Sequence, residues 1–186
     1  MRKDFGIQTW LYPMPVLIIG TWNEDGTANA MNAAWGGIYD TNKISVCIDP
    51  GHKTAANLLR NEAFTVCIGE ASLVTACDYL GIVSGNDTPD KLARAGVHAE
   101  NSPFVHAPRL SEFGMILECS LVSFDEKTGC TVGDIVNISA DQRVLDEEGK
   151  ISPEKLAPIC FDPVHHTYLK LGEAAGKAFS DGKKLQ

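Results

Sequence analysis

Two consecutive segments near the N-terminus constrain the fold more than any other feature. "MPVLIIGTW" (14–22) is a β-branched apolar run, "NEDG" (23–26) ends in glycine, and "TANAMNAAW" (27–35) follows. An apolar run, a tight turn and a second extended segment predict a β-hairpin. The second strand is unusual because alanine and asparagine are poor strand formers.

The composition of this second strand suits a flat ligand. Small side chains let a planar group lie against the backbone, and asparagine offers both a hydrogen-bond donor and an acceptor. Trp35 adds a large plane with one donor. A planar heterocycle with a mixed donor and acceptor edge would fit such a strand. The alternative is a packing surface against which another strand or helix lies closely, and the segment alone leaves both interpretations open.

The rest of the chain predicts strands at both ends and a mostly helical insert between them. The predicted strands are "KISVCI" (43–48), "AFTVCIGE" (63–70), "GMILECSLVSFDE" (114–126) and "CTVGDIVNISADQRVL" (130–145), the last two forming a hairpin through "KTGC". This order predicts an antiparallel barrel or an α+β layout rather than alternating β-α-β units. No linker divides the chain, so residues 1–186 are expected to form one domain.

Helices are predicted from apolar spacing and capping residues. "TAANLLRNE" (54–62) would be capped by Thr54, "SLVTACDYLGIVSG" (72–85) by Ser72, and "TPDKLARAG" (88–96) by Thr88, with Gly96 as its stop. "SPEKLAP" (152–158) predicts a short capped helical turn. The C-terminal segment 165–185 is expected to begin extended and to end as a helix with alanines at 174, 175 and 178.

Charge and composition exclude several classes of function. The formal net charge of −8 argues against binding to nucleic acid or to an anionic membrane. No stretch approaches the length of a membrane-spanning helix and no signal peptide is recognised, so a cytoplasmic protein is expected. The six cysteines form no CxxC pair. Cys47, Cys67 and Cys119 sit in apolar runs and are expected to be reduced thiols in or near the core, and Cys77 and Cys130 are interpreted as structural.

A phosphate site is predicted where "KISVCI" gives way to a helix. In "DPGHKTAANLL" a strand ends, a Pro-Gly turn follows, and a helix starts at His52, Lys53 and Thr54. A helix N-terminus offers free N–H groups and a positive dipole end, and Lys53 and the Thr54 hydroxyl add donors. The pattern is not a Walker loop. The alternative is an ordinary helix cap beside a lysine.

Two further groups of residues could bind a ligand or a metal ion. In "SGNDTPDKLARAG", Ser84 lies in a flexible turn and Lys91 follows, either as a cation that reaches a ligand or as a solvated lysine. "CFDPVHH" brings together Cys160, His165 and His166, but no second pair at finger-like spacing supports zinc, so no metal is predicted. A position for these histidines near an active cleft is the preferred interpretation.

Four segments in fixed order resemble a known family. "NAMNAAW", "PGHKTAANLLRNEAFTVCI", "DYLGIVSGNDTPDKLARAG" and "HHTYLKLGEAAGKAF" are similar to the flavin reductase-like proteins of flavoredoxin type, with the FMN-binding split barrel. The resemblance extends from about Trp10 to Gly182. It implies a mainly β, antiparallel split β-barrel with peripheral α-helices. It also implies FMN as the cofactor, and a homodimer with FMN near the subunit interface.

The resemblance also implies roles for individual residues. His52, Lys53 and Thr54 would hold the FMN phosphate, Ser84 and Lys91 would lie at the flavin, and Phe161 could close over the ring. In some relatives a histidine stands in the loop that here reads "KTGC", so its role is in doubt in this chain, which has Cys130 nearby. The isoalloxazine ring would be lined by the segment Asn29, Ala30, Met31, Asn32, Ala33, Ala34 and Trp35.

The function implied is that of an FMN-binding oxidoreductase. It would move electrons from a reduced nicotinamide or a protein donor through FMN to a flavin or protein acceptor. Because the hydride chemistry belongs to the cofactor, no acid or base residue is assigned. A nicotinamide fingerprint GxGxxG is not recognised in the sequence. Two alternatives stay open: a pure FMN electron carrier without NAD(P)H turnover, and a non-redox ligand-binding module on the same fold.

Overall fold

A computed structural model describes residues 1–185 and shows a mainly β chain. In chain order the strands are β1 Met14–Pro15, β2 Leu17–Trp22, β3 Ala28–Ala33, β4 Gly36–Asp40, β5 Lys43–Cys47, β6 Ala63–Ile68, β7 Ala99–Asn101, β8 Pro108–Leu110, β9 Met115–Phe124, β10 Cys130–Ala140, β11 Ile159–Asp162 and β12 Thr167–Lys170. The α-helices are α1 Lys53–Asn61, α2 Val74–Ile82, α3 Lys91–Ala95 and α4 Pro153–Leu156.

Seven of these strands form one antiparallel sheet in the order β3-β2-β6-β9-β10-β5-β4. β3 and β4 are at opposite edges of the sheet, although only Ala34 and Trp35 separate them in sequence. The three Cα–Cα steps from Ala33 to Gly36 span at most about 11 Å, so the sheet must curl until its two edges approach each other at Trp35. The predicted mainly β, antiparallel layout with peripheral helices is confirmed.

The N-terminal hairpin forms as predicted. β2 pairs with β3 without a register shift, with Thr21 opposite Asn29 and Leu17 opposite Ala33. The turn between them uses Gly26 at a φ of 80°, which glycine adopts without steric penalty. The strand ends at Ala33, so Trp35 lies beyond it and is 56% exposed.

Side chains on the two faces of the sheet belong to two hydrophobic clusters. Ile18 and Ala30 belong to the cluster beneath α2, whereas Ile19 and Ala33 belong to the cluster beneath α1. This alternation follows from the two-residue repeat of a strand. Both faces of the hairpin are therefore covered, and only the outer edge of β3 is left without a neighbouring strand.

Three of the four predicted caps are wrong, whereas the capped turn at 152–158 is confirmed, with Ser152 as the N-cap of α4. Thr54 lies inside α1, whose N-cap is His52, because the Thr54 hydroxyl accepts a hydrogen bond from Asn29 instead. Ser72 lies in a 3₁₀ turn, Ala71–Leu73, and donates to Glu70 at 3.2 Å. Thr88 precedes α3, whose N-cap is Asp90. In contrast, the stop at Gly96 is confirmed by its left-handed φ of 68°.

The C-terminal helix is also not formed where it was predicted. β12 provides the extended start, but residues 171–180 contain no helix, and only a 3₁₀ helix, Asp181–Leu185, follows. These residues are exposed throughout. Alanines at 174, 175 and 178 supply almost no apolar face to bury, and short helices without such packing are marginal in water.

The expectation that Cys47 is a thiol in or near the core is wrong, because Cys47 is exposed. Val46 and Ile48 on either side of it point into the core, so the strand repeat turns Cys47 outward. Cys67 and Cys119 are buried as expected. Within residues 1–185, no helix has both the length and the apolar character needed to cross a membrane.

Candidate functional site

The asparagines of β3 connect this strand to two helices. The Asn29 side-chain amide donates to the Thr54 hydroxyl of α1 at 2.9 Å. The Asn32 amide donates to the Cys77 carbonyl of α2 at 3.0 Å. β3 is hydrogen-bonded to β2 alone, so the backbone N–H and C=O groups along its other side face away from the sheet. The strand is thus held in place by its asparagines while one row of its backbone groups has no partner strand.

A cleft of about 240 Å³ opens at this end of β3, between the first turn of α1 and the end of α2. Its floor is formed by Asn29 and Met31. One wall comes from the first turn of α1 and the other from the residues that end and follow α2. The lining residues are Asn29, Met31, His52, Lys53, Thr54, Leu80, Gly81, Ile82, Val83, Ser84, Gly85 and Lys91.

The first turn of α1 is suited to bind an anion. His52 is the extended N-cap, with φ −75° and ψ 144°, and its side chain makes no capping hydrogen bond. The N–H groups of Lys53 and Thr54 have no acceptor within the helix, as is general for a first turn. Together with the Lys53 ammonium and the positive end of the helix dipole, these donors favour a phosphate.

Lys91 is a buried cation in the same cleft. It is 2% exposed, and its Nζ donates to the Val83 carbonyl at 2.7 Å and to the Leu80 carbonyl at 3.3 Å. These carbonyls belong to the C-terminal end of α2, where a positive charge is favourable. Burial lowers the pKa of Lys91 from 10.5 to about 8. The alternative of a solvated lysine is therefore wrong.

Two glycines allow the elements around the cleft to approach closely. A Cβ atom at Gly85 would lie 2.2 Å from Asn29 Oδ1 and 3.4 Å from the Lys53 side chain. A Cβ atom at Gly81 would lie 3.2 Å from the Asn32 side chain. Any larger residue at 85 would displace Asn29, so glycine at this position keeps the cleft in its present form.

The groove continues along β3 toward the point where the sheet edges meet. A second opening shares Met31 and His52 with the first. It runs past Trp35 and ends against Cys47 and the loop after β9. Its lining residues are Met31, Asn32, Ala33, Ala34, Trp35, Cys47, Ile48, Asp49, His52 and Thr128. We call the two openings together the β3 groove.

Most predicted site residues lie on the β3 groove. Asn29, Met31, His52, Lys53, Thr54, Ser84 and Lys91 line the first opening, and Asn32, Ala33, Ala34 and Trp35 line the second. Ala30 instead is fully buried in the cluster beneath α2. Ala30 faces α2, where its methyl group belongs to the cluster with Cys77 and Leu80, and Asn32 shares that face but lies two residues nearer the end of the strand.

Phe161 lies elsewhere in the fold. It belongs to β11 in a separate three-stranded sheet, opposite Met14. Its ring stacks on His166, with centroids 6.3 Å apart and planes at 5°. His165 Nδ1 lies 2.7 Å from Asp162 Oδ2, and the Tyr12 hydroxyl donates to the same carboxylate. Hydrogen bonds, that from Tyr12 foremost, hold the pKa of Asp162 well below its usual range.

Several groove residues have no signal in the sequence. Leu80, Ile82 and Val83 come from the end of α2, and Asp49 and Thr128 come from turns. The pair of glycines in "LGIVSG" is the feature that could have indicated a close approach at this point. Across residues 1–185, no group of three or more His, Cys, Asp or Glu side chains is placed to hold a metal ion.

Comparison with known proteins gives consistent similarities. The family model of the flavin reductase like domain matches residues 9–162. Flavoredoxin of Desulfovibrio vulgaris (Miyazaki F) superposes with a TM-score of 0.93 and 34% identity, over 98% of this chain and 100% of that chain. Flavoredoxin from Methanosarcina acetivorans gives 0.88 and 26% identity, over 100% of both chains.

A more distant structure shares the fold. The FMN-binding domain of a flavin reductases-like enzyme from Shewanella baltica OS155 superposes with a TM-score of 0.78 at 18% identity, over 88% of this chain and 89% of that chain. With the curled seven-stranded sheet, these superpositions confirm the predicted split β-barrel.

Proposed function

Because this chain belongs to the flavin reductase-like family, we propose that the β3 groove binds FMN and that the protein is a flavin-dependent oxidoreductase. The observation that carries this proposal is the groove itself. At one end it has the first turn of α1 and Lys53, which would suit an anion, and along its length runs the open edge of β3. A flavin mononucleotide has a phosphate at one end and a flat ring with donor and acceptor atoms at the other.

The residues present fit this cofactor. His52, Lys53 and Thr54 would hold the phosphate, since the free N–H groups of α1 and the Lys53 ammonium converge there. The segment from Met31 to Trp35 would receive the ring, because β3 has no partner strand on this side and Ala33 and Ala34 add little bulk there. Gly85 keeps room for the ligand between these parts.

Bound FMN would supply the redox chemistry, accepting two electrons from a donor and passing them to an acceptor. The chain would bind and orient the cofactor and set its electrostatic environment. Lys91 would contribute a buried positive charge that favours an anionic ligand, and its hydrogen bonds to Val83 and Leu80 fix its position. The walls from α1 and α2 would exclude water from one side of the ligand.

The electron route within this proposal runs from a reduced nicotinamide or a protein donor to a flavin or protein acceptor. Similarity to two flavoredoxins over nearly the whole chain also supports a second candidate, a pure electron carrier without NAD(P)H turnover. Anaerobic mixing of the FMN-loaded protein with NADH or NADPH separates the two. Rapid bleaching of the flavin absorbance supports the reductase, and an unchanged spectrum that only a protein donor bleaches supports the carrier.

The proposed assembly is a homodimer of a single-domain chain with FMN near the interface. Apolar side chains on β4 and β10 are exposed: Ile38 is 73% exposed and Tyr39 62%, and Val136 and Ile138 are nearly half exposed. Large exposed apolar patches are typical of interaction surfaces. Trp35, which follows β3 and precedes β4, would connect this surface to the β3 groove.

A further inference from the structure

Two free cysteines face each other across neighbouring strands. Cys47 at the end of β5 is the direct partner of Cys130 at the start of β10. The next pair along the ladder is hydrogen-bonded, because the Ile48 N–H donates to the Gly129 carbonyl at 2.8 Å. Since hydrogen-bonded and non-hydrogen-bonded pairs alternate in antiparallel strands, the two cysteines occupy a non-hydrogen-bonded pair.

This position allows a disulfide without a change of fold. In a non-hydrogen-bonded pair the Cα atoms are about 4.5 Å apart, which lies within the range of about 4.4–6.8 Å found across disulfides. Val46 and Thr131, the preceding pair, are both buried, so the strand repeat places both cysteines on the opposite face.

The other cysteines are less able to react. Burial raises the pKa of Cys77 to about 11 and that of Cys119 to about 12, and it raises the pKa of Cys67 further. Cys160 is also buried. Because the thiolate is the reactive form, buried thiols of this kind are inert. In contrast, Cys47 is exposed and Cys130 is half-buried.

We propose that Cys47 and Cys130 form a redox-active dithiol that reduces disulfide substrates by thiol–disulfide exchange. Cys47 is the attacking thiol because it is exposed, and Cys130 resolves the intermediate because it lies directly across the ladder. The substrate class is a small or protein disulfide that reaches the Trp35 end of the β3 groove, where Cys47 lies.

The exchange has two balanced steps. The Cys47 thiolate attacks one sulfur of the substrate disulfide, a mixed disulfide forms, and one substrate thiolate leaves. The Cys130 thiolate then attacks the Cys47 sulfur, the bond to the substrate breaks, and the second substrate thiolate leaves. The cysteines give up two protons and two electrons, and the substrate becomes two thiols. Exposed disulfides are the labile ones, so the protein pair can be reduced again by a dithiol.

The test uses the full-length protein as purified, with oxidised glutathione as the probe. After incubation the reaction is quenched in acid and the free thiols are alkylated, and intact and peptide masses are measured. We expect wild type to carry two fewer alkyl groups than the reduced protein, with one cross-linked peptide pair that contains Cys47 and Cys130. Dithiothreitol should restore all six alkylated cysteines.

Two variants and a control distinguish this chemistry from general oxidation. Cys130→Ser should stop at a lasting glutathione adduct on Cys47, and Cys47→Ser should lose the cross-link and the adduct. Cys160→Ala should behave like wild type. A wild-type protein that keeps a glutathione adduct on Cys47, or keeps all its thiols free, would overturn the proposal. Should one variant fail to fold, wild type and the other variant still decide.

Discussion

Gly85→Ala tests the architecture of the β3 groove most sharply. The added Cβ atom would lie 2.2 Å from Asn29 Oδ1, well inside van der Waals contact, so the Asn29 side chain must move. It would then lose its 2.9 Å hydrogen bond to Thr54, and both groups are buried. Leaving a buried polar group without a partner costs about 1–3 kcal/mol.

The expected result has two parts. The free energy of unfolding should fall by about 1–3 kcal/mol, since the lost hydrogen bond is buried. The dissociation constant for FMN should rise by about tenfold or more, because each 1.4 kcal/mol of lost binding energy is about a factor of ten. Urea titration measures the first quantity, and quenching of FMN fluorescence on binding measures the second.

A matched control separates the groove from a general effect of adding a methyl group. Gly37 is exposed, and a Cβ atom there would meet nothing within 4 Å. Gly37→Ala should therefore leave both FMN affinity and stability near those of wild type. If Gly85→Ala binds FMN as tightly as Gly37→Ala, then Asn29 and Gly85 do not border the ligand, and the placement of FMN in this groove is refuted.

Three further predictions address the groove and the proposed dimer interface. Thr54→Val should weaken FMN binding about tenfold and lower the free energy of unfolding by about 1 kcal/mol or more, because it removes a phosphate donor and the acceptor for Asn29. Thr54→Ser keeps the hydroxyl and should restore both quantities in the same measurements; equal loss in the two variants would contradict a role for the hydroxyl. Burial lowers the pKa of Lys91 to about 8, and a bound anion should raise it again, so FMN affinity should be full below about pH 8 and fall as the pH rises through it. Without ligand, the free energy of unfolding should instead rise between about pH 8 and 10.5, because in this range Lys91 is protonated in the unfolded chain but loses its proton in the folded one. Lys91→Met should flatten both pH profiles, and unchanged profiles would refute the assignment of these pH effects to Lys91. Ile38→Glu should convert a dimer to a monomer in light-scattering chromatography, since it places a charge on an exposed apolar strand; a wild-type monomer, or a variant that stays dimeric, would contradict the proposed interface.

The hairpin and most of the groove were predictable from local sequence signals. "MPVLIIGTW" and "TANAMNAAW" flank a glycine turn, and the strand repeat then fixes which residues face each helix. The strand-turn-helix order at "DPGHKTAANLL" correctly placed a helix start beside Lys53, because Pro-Gly turns end strands irrespective of tertiary contacts.

Tertiary contacts determined the features that the sequence did not reveal. The Thr54 hydroxyl accepts a hydrogen bond from Asn29 of β3 instead of capping its own helix, and no local sequence pattern indicates this contact. Gly85 matters because Asn29, 56 positions away in sequence, approaches it in space. A short stretch of sequence carries no information about such contacts between residues that are far apart in the chain.

The central claim is that the β3 groove holds FMN, and the absorption spectrum of the purified protein tests it most directly. Flavin released by acid would be identified by chromatography, and a protein purified without flavin would first be incubated with FMN. We expect a two-banded flavin spectrum and FMN in the acid supernatant. A colourless protein that also fails to take up added FMN would contradict the claim, and the small-residue edge of β3 would then be a packing surface.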